Sequence, residues 1–250
     1  MSLNARRDLV QCARDFDALI ISDDVYDHLL WPADGEMKPT DRLDRACMPR
    51  IVDIDATLDG GPSREGADGF GNAMSNGSFS KLIGPGLRVG WAQASPKLAY
   101  GLSQTGTTKS GGAPSQLTST YVTELLRSGF VHDHILNTVQ PAYARRYRTL
   151  IRSIEEHLVT RGCSLPQTTR SYAGGFFVWL TLPAGMLATE LCKSCKENEN
   201  VLLAPGTAFQ VPGDDSIRFQ DSVRLCFTWE DEALLPDGVR RIARVIDRMR

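Results

Sequence analysis

The densest chemical signal in the chain is the string Ser78-Phe79-Ser80-Lys81-Leu82-Ile83-Gly84-Pro85-Gly86-Leu87-Arg88-Val89-Gly90-Trp91. Lysine is the residue that condenses with an aldehyde, once its site has lowered its pKa. Two hydroxyls and a guanidinium can grip a phosphate, the guanidinium through two parallel hydrogen bonds. Glycines let backbone approach an anion closely. Together these residues are equipped to hold a phosphorylated aldehyde. A lone lysine in a turn-rich segment is ordinarily a surface residue, and the whole string is far more specific.

A second signal is Ser22-Asp23-Asp24-Val25-Tyr26, which follows the short apolar run Ala18-Leu19-Ile20-Ile21. Such a run reads as a buried parallel strand ending in an acidic turn. A third is Val223-Arg224-Leu225-Cys226-Phe227, a strand pattern with one arginine in it.

The elements that must position these residues alternate between helix and strand. Residues 3–15 carry Leu9, Val10, Ala13 and then Phe16 at helical spacing. Residues 32–76 are rich in Gly, Pro, Asp and Asn and read as a surface excursion, with a strand pattern only at Arg50-Ile51-Val52-Asp53-Ile54. Val89–Ala92 is a strand pattern, and Ala113-Pro114-Ser115 opens a helix running to about Arg127. A long helix over about 131–159 suits a connector between domains. Strands follow at 175–182, 201–204 and 223–227, with helices near 188–197 and 236–249. The class is α/β, with the second half resembling a smaller α+β domain.

Composition sets the outer bounds. The chain has 250 residues, 28 basic against 30 acidic, 42% hydrophobic and 23% charged. That balance is no electrostatic footprint for nucleic acid or an anionic membrane, and it excludes wholesale disorder. The longest nearly uncharged apolar stretch, Gly174 to Ala188, contains a proline and is shorter than a membrane span. Six scattered cysteines in a chain of this length lead to the expectation of a reduced, cytoplasmic protein. Cys192-Lys193-Ser194-Cys195 has metal or redox spacing but no second Cys or His pair nearby, and His132 and His134 stand two apart on a helical pattern. No metal site is expected.

The lysine string resembles the pyridoxal-phosphate segment of fold-type I aminotransferases of class I/II, the aspartate aminotransferase superfamily. Its Pro-Gly-Leu-Arg stretch is most similar to the kynurenine/aminoadipate aminotransferase branch. The resemblance implies pyridoxal 5'-phosphate as cofactor and transamination between an amino acid and a 2-oxo acid through a Schiff base to Lys81. It implies Ser78, Ser80 and Arg88 at the phosphate, and Asp23 at the pyridine nitrogen, where a carboxylate keeps the ring an electron acceptor. It implies Tyr26 at the ring hydroxyl and Arg224 on the substrate carboxylate. The choice of Asp23 over Asp24 rests on its spacing to Tyr26. Gly174-Gly175-Phe176-Phe177-Val178-Trp179, Pro205-Gly206-Thr207-Ala208-Phe209 and Gly111-Gly112-Ala113-Pro114-Ser115 resemble further family segments, the last a loop facing a partner subunit's phosphate.

The fold implied is the C-terminal part of a three-layer α/β/α large domain, at 1–135, followed by a connecting helix and a small α+β domain at 136–250. A homodimer is expected. Family members extend further at the amino-terminal side, so a phosphate-cupping helix N-terminus, a ring-stacking aromatic and an asparagine are expected upstream. Two other readings stand beside the enzyme: the aminotransferase-like ligand-sensing domain of a transcriptional regulator, and an inactive truncated fragment.

Overall fold

The computed structural model describes residues 1–33, 49–110, 115–166, 172–214 and 216–250. These divide into two compact units, one of Met1–Leu30 with the described residues up to Gln140, the other of residues 31–33 with Pro141–Arg250.

In the first unit, helix α1 (Leu3–Asp15) starts at Ser2, whose Oγ accepts the Ala5 N–H at 3.2 Å and so satisfies an orphan donor. Its buried residues are Val10 and Ala13. Phe16, expected on that face, caps the helix and is 79% exposed. Strand β1 (Ile20–Asp23) follows, and β2 (Leu30–Pro32) is where the chain passes to the second unit.

Residues 50–54, expected as a strand, open a helix instead, α2 (Ile51–Thr57). The Asp53 carboxylate accepts the Arg50 backbone N–H at 2.9 Å and its guanidinium at 2.9 and 3.0 Å. A helix start satisfied in this way outweighs an apolar alternation too short to discriminate. Asp55, one turn on, is 2% exposed. Its Oδ2 accepts the N–H groups of Asn72 at 2.7 Å and Ala73 at 3.1 Å, and its Oδ1 accepts Arg14 at 3.1 Å. One carboxylate thereby joins α1, α2 and the start of β3 (Ala73–Ser78).

Of the excursion expected over 32–76, residues 34–48 lie outside the described residues; the remainder includes α2 and the start of β3. β3 has no β-branched residue and contains Asn76 and Gly77, so propensity argues against it. Pairing overrides propensity: β3 is the central strand, parallel to β1 and antiparallel to β4 (Gly90–Gln93). β1, expected to be buried, is an edge among the described residues, with Leu19 46% and Ile21 62% exposed.

Helices α3 (Pro96–Ser103), α4 (Gly106–Lys109), α5 (Gln116–Arg127) and α6 (Phe130–His134) complete the unit. α5 starts after Ser115; Gly111 to Pro114 lie outside the described residues. The single helix expected over 131–159 is α6, a π-turn at Ile135–Val139, and α7 (Gln140–His157). Pro141 has no N–H and its ring displaces the carbonyl four residues earlier, which accounts for the wider turn.

The second unit adds β5 (Tyr172–Gly174), β6 (Phe177–Thr181), α8 (Ala188–Glu199), β7 (Ala204–Pro205), β8 (Ser222–Cys226) and α9 (Leu235–Met249). The strand expected at 201–204 is reduced to Ala204–Pro205, with Leu202 78% exposed. The sheet order is β6-β8-β7, all antiparallel. Val178, Leu180, Val223 and Leu225 are buried on one face of it. α8 packs beside α9, where Glu199 accepts Arg244 at 2.6 Å and also Arg248. Trp31, fully buried, meets the rings of Tyr143, Tyr147 and Phe227 edge-on or tilted.

Asp55→Ala removes the partner of a buried arginine and two strand N–H groups at once. Denaturant unfolding is expected to show a loss of about 3 kcal/mol; a loss below about 0.5 kcal/mol would refute the clamp.

Candidate active site

β1 and β3 run parallel, so their carboxyl ends share one edge of the sheet, the edge where α/β folds receive ligands. Asp23 is the last residue of β1 and lies in register with Asn76, whose amide donates to Asp23 Oδ1 at 3.1 Å. Asp24 is engaged differently. Its Oδ1 accepts Ser22 Oγ at 2.6 Å and its Oδ2 accepts Ser75 Oγ at 2.5 Å. The exposed carboxylate with acceptor capacity to spare is therefore Asp23. A turn follows, in which Asp27 N donates to Asp24 O and Leu29 N to Tyr26 O, leaving Tyr26 half-buried.

The lysine segment leaves the carboxyl end of β3 and returns as β4. Phe79 N donates to Val89 O, and Phe79 O accepts the N–H groups of Leu82, Ile83 and Gly84 at 3.1, 2.9 and 3.2 Å. Phe79 and Leu82 are 8% and 4% exposed and anchor the turn on either side of the half-buried Lys81. The Phe79 ring lies 4.8 Å from that of Trp91. The Trp91 indole in turn lies on Gly77, where a Cβ would come within 2.1 Å of Cε2. Only glycine fits this position in the register, which is one reason the lysine loop can fold back onto β3.

Ser78 Oγ accepts the Ser80 N–H at 3.1 Å, a local bond that holds both hydroxyl residues in the same turn. Arg88 is exposed, has a left-handed backbone at φ 53°, and donates to Pro85 O at 3.0 Å. Asp23 and Ser78 end β1 and β3, and Tyr26, Ser80, Lys81 and Arg88 follow those ends along the chain. Asn76, which orients Asp23, was not singled out in the sequence; its alternation with Ser78 along β3 is the signal that finds it.

Arg224 belongs to the second unit, at the middle of β8 opposite Trp179 and Ala204. Its Cζ lies 3.8 Å from the Phe177 ring centroid and 4.3 Å from that of Phe209. Nothing in the sequence pattern alone gives Phe177 or Phe209 this contact.

The family profile for aminotransferases of class I and II matches residues 1–242. This chain belongs to that family. It is 38% identical over 245 residues to an uncharacterized protein of Saccharomyces cerevisiae, covering 98% of this chain and 52% of that one. It is 28% identical over 246 residues to a 2-aminoadipate transaminase of Thermus thermophilus, covering 98% and 53%. Among solved structures it superposes on the α-aminoadipate aminotransferase LysN of Thermus thermophilus with a TM-score of 0.73 at 27% identity, covering 99% of this chain and 55% of that chain. That structure holds N-(5'-phosphopyridoxyl)-L-leucine. The chain spans about half the length of the curated relatives it matches. The fold is accordingly the α/β fold of pyridoxal-phosphate aminotransferases.

The residues of this family member fit the cofactor chemically: a primary amine in an anchored turn, an exposed carboxylate at a strand end, and two hydroxyls with an exposed guanidinium in the lysine segment. The thiols set aside earlier are chemically quiet. Burial pushes Cys192 up to about 11 and Cys195 up to about 12, so both stay protonated near neutrality. No described helix is long and apolar enough to cross a membrane.

Beside the site, burial and the neighbouring Asp24 carboxylate push Asp27 up from 3.8 to about 6, against the pull of Arg50 at 3.6 Å. The folded chain thus favours protonated Asp27, and this group's contribution to stability falls as pH rises from about 4 to about 6. Asp27→Asn is expected to flatten that part of a stability–pH curve; an unchanged slope would show that Asp27 is ionised there.

Proposed function

We propose that this chain carries the lysine-bearing part of a pyridoxal-phosphate aminotransferase that moves an amino group between an amino acid and a 2-oxo acid. The observation that carries the reading is the parallel pairing of β1 with β3. It sets the Asp23 carboxylate and the turn holding Lys81 at one end of the sheet.

In this reading Lys81 Nζ holds the cofactor's aldehyde carbon and, once released, moves a proton at the substrate's α carbon. Asp23 keeps the ring nitrogen protonated, with its side chain steadied by Asn76. Tyr26 donates to the ring oxygen, and Ser78, Ser80 and Arg88 hold the phosphate. Arg224 binds the substrate's α-carboxylate through its forked N–H groups. When bound, the cofactor supplies an electron sink for the pair left at the α carbon. A cytoplasmic homodimer, and a large-domain and small-domain assignment of 1–135 and 136–250, go with this reading.

A second reading is supported by likeness to an HTH-type transcriptional regulator of Bacillus subtilis, 26% identical over 253 residues and covering 100% of this chain and 43% of that one. There the same residues would sense a ligand without turnover. Amino-group transfer to a 2-oxo acid separates the two.

The chain is mixed with pyridoxal phosphate, freed of excess, and its visible absorbance is compared with that of Lys81→Ala. The expected result is a retained band that vanishes in the variant; a band of equal strength in both would remove Lys81 from its role. Arg224→Lys is expected to raise the KM for the amino acid about tenfold or more, because an ammonium cannot reproduce the bidentate fork, while cofactor loading stays intact. An unchanged KM would refute the carboxylate assignment.

A further inference from the structure

Alternation along β6 and β8 sends two sets of side chains to opposite faces of the sheet. Val178, Leu180, Val223 and Leu225 are buried on one face, whereas Phe177, Trp179, Arg224 and Cys226 belong to the other. Phe209 joins that second face from the turn Gly206–Phe209, which follows β7. The turn can sit so close because residue 206 is glycine: a Cβ there would lie 2.5 Å from the Phe219 carbonyl oxygen. The Trp179 ring braces Phe209 edge-on at 5.8 Å and is itself braced by Phe219 at 5.2 Å.

The Arg224 guanidinium is therefore held by rings rather than by anions. Its Cζ stands 3.8 Å from the Phe177 centroid and 4.3 Å from that of Phe209, the separation at which flat π systems stack. Among the described residues no carboxylate lies within ion-pair distance of it, and no hydrogen bond occupies its fork. Elsewhere in the same unit arginines follow the ordinary pattern: Arg161 is bidentate on Asp247, and Arg244 is paired with Glu199. A guanidinium has faces that rings can take and an in-plane edge of N–H groups that rings leave untouched.

We propose that Phe177 and Phe209 are positioning residues that clamp the faces of the Arg224 guanidinium, so that its N–H edge is presented, already desolvated on its faces, to a substrate carboxylate. This rests on the reading of Arg224 as the carboxylate-binding residue. Pinning by aromatic faces immobilises the side chain without the competing anion that a salt bridge would introduce. The fork then loses little conformational freedom when a carboxylate arrives in its plane. A leucine fills much of the same volume but offers no π face; a tyrosine offers the face and keeps the size.

The test titrates the nitrogen-15-labelled chain with 2-oxoglutarate and reads the Arg224 Nε–H resonance, assigned by its loss in Arg224→Lys. The wild-type resonance is expected to move with 2-oxoglutarate. Phe177→Leu and Phe209→Leu are each expected to raise the half-saturation concentration about fivefold, and Phe177→Tyr and Phe209→Tyr to hold it within about twofold. Thermal melts of the variants accompany the titration. Phe177 and Phe209 stand on different elements, so loss of folding in one variant leaves the other to decide. Leucine variants that bind as tightly as wild type, or tyrosine variants as weak as leucine, would overturn the clamp alone. An Arg224 resonance that 2-oxoglutarate does not move in the wild type would overturn the carboxylate reading and the clamp with it.

Discussion

The parallel register of β1 on β3 is the constraint from which the first unit's chemistry follows, and the buried Asp55 carboxylate anchors the strand that sets it. By accepting the N–H groups of Asn72 and Ala73, Asp55 fixes where β3 begins. The Ala73–Ile20 pairing then carries that origin forward to Asn76 opposite Asp23. A slip of one residue would turn every side chain of β3 to the other face and part Asn76 from Asp23. Arg14 neutralises the buried carboxylate and binds the carbonyls of Asp55 and Leu58 as well, so a helix at the start of the chain shares in holding a strand some sixty residues later. A buried ion pair is weak ground for stability in itself, but this one specifies a register.

The lysine turn depends on a different economy of groups. A single carbonyl, that of Phe79, accepts three successive N–H groups, which closes the turn through backbone bonds. Burial of Phe79 and Leu82 supplies the anchoring, at about 25 cal/mol for each Å² of apolar surface removed from water. The backbone of Lys81 lies between these two anchors.

The sequence made legible what depends on residue type and spacing. The lysine string, the acidic strand end and the arginine of β8 were found because unusual combinations stand at fixed intervals, and the helices at 3–15 and in the carboxyl-terminal segment because their apolar residues recur at helical period. What depends on tertiary partners was hidden. β3, with Ser75, Asn76 and Gly77 in it, is a strand by virtue of its neighbours and reads as loop on its own. The Ile-Val-Asp-Ile of α2 became helix because Asp53 caps it and Asp55 is drawn inward, two roles invisible before the partners are known. The exposure of β1 was hidden for the same reason: an apolar run says nothing about how many strands lie beside it.

Two neighbouring aspartates show how a fold assigns chemistry that spacing can only nominate. Asp23 and Asp24 are identical in type and adjacent in sequence, yet pairing with β3 sends them to different tasks. Asp24 faces Ser22 and Ser75, and both of its oxygens are taken up by hydroxyls, which makes it a structural acceptor tying the end of β1 to β3. Asp23, on the opposite side of the pleat, meets a single amide among the described residues, from Asn76, and is exposed. Exchanging the two roles would require a one-residue register shift, which Asp55 opposes from the far end of β3. Which of the two aspartates keeps its acceptor capacity open at this end of the sheet is thus decided by a buried carboxylate at the other end of β3.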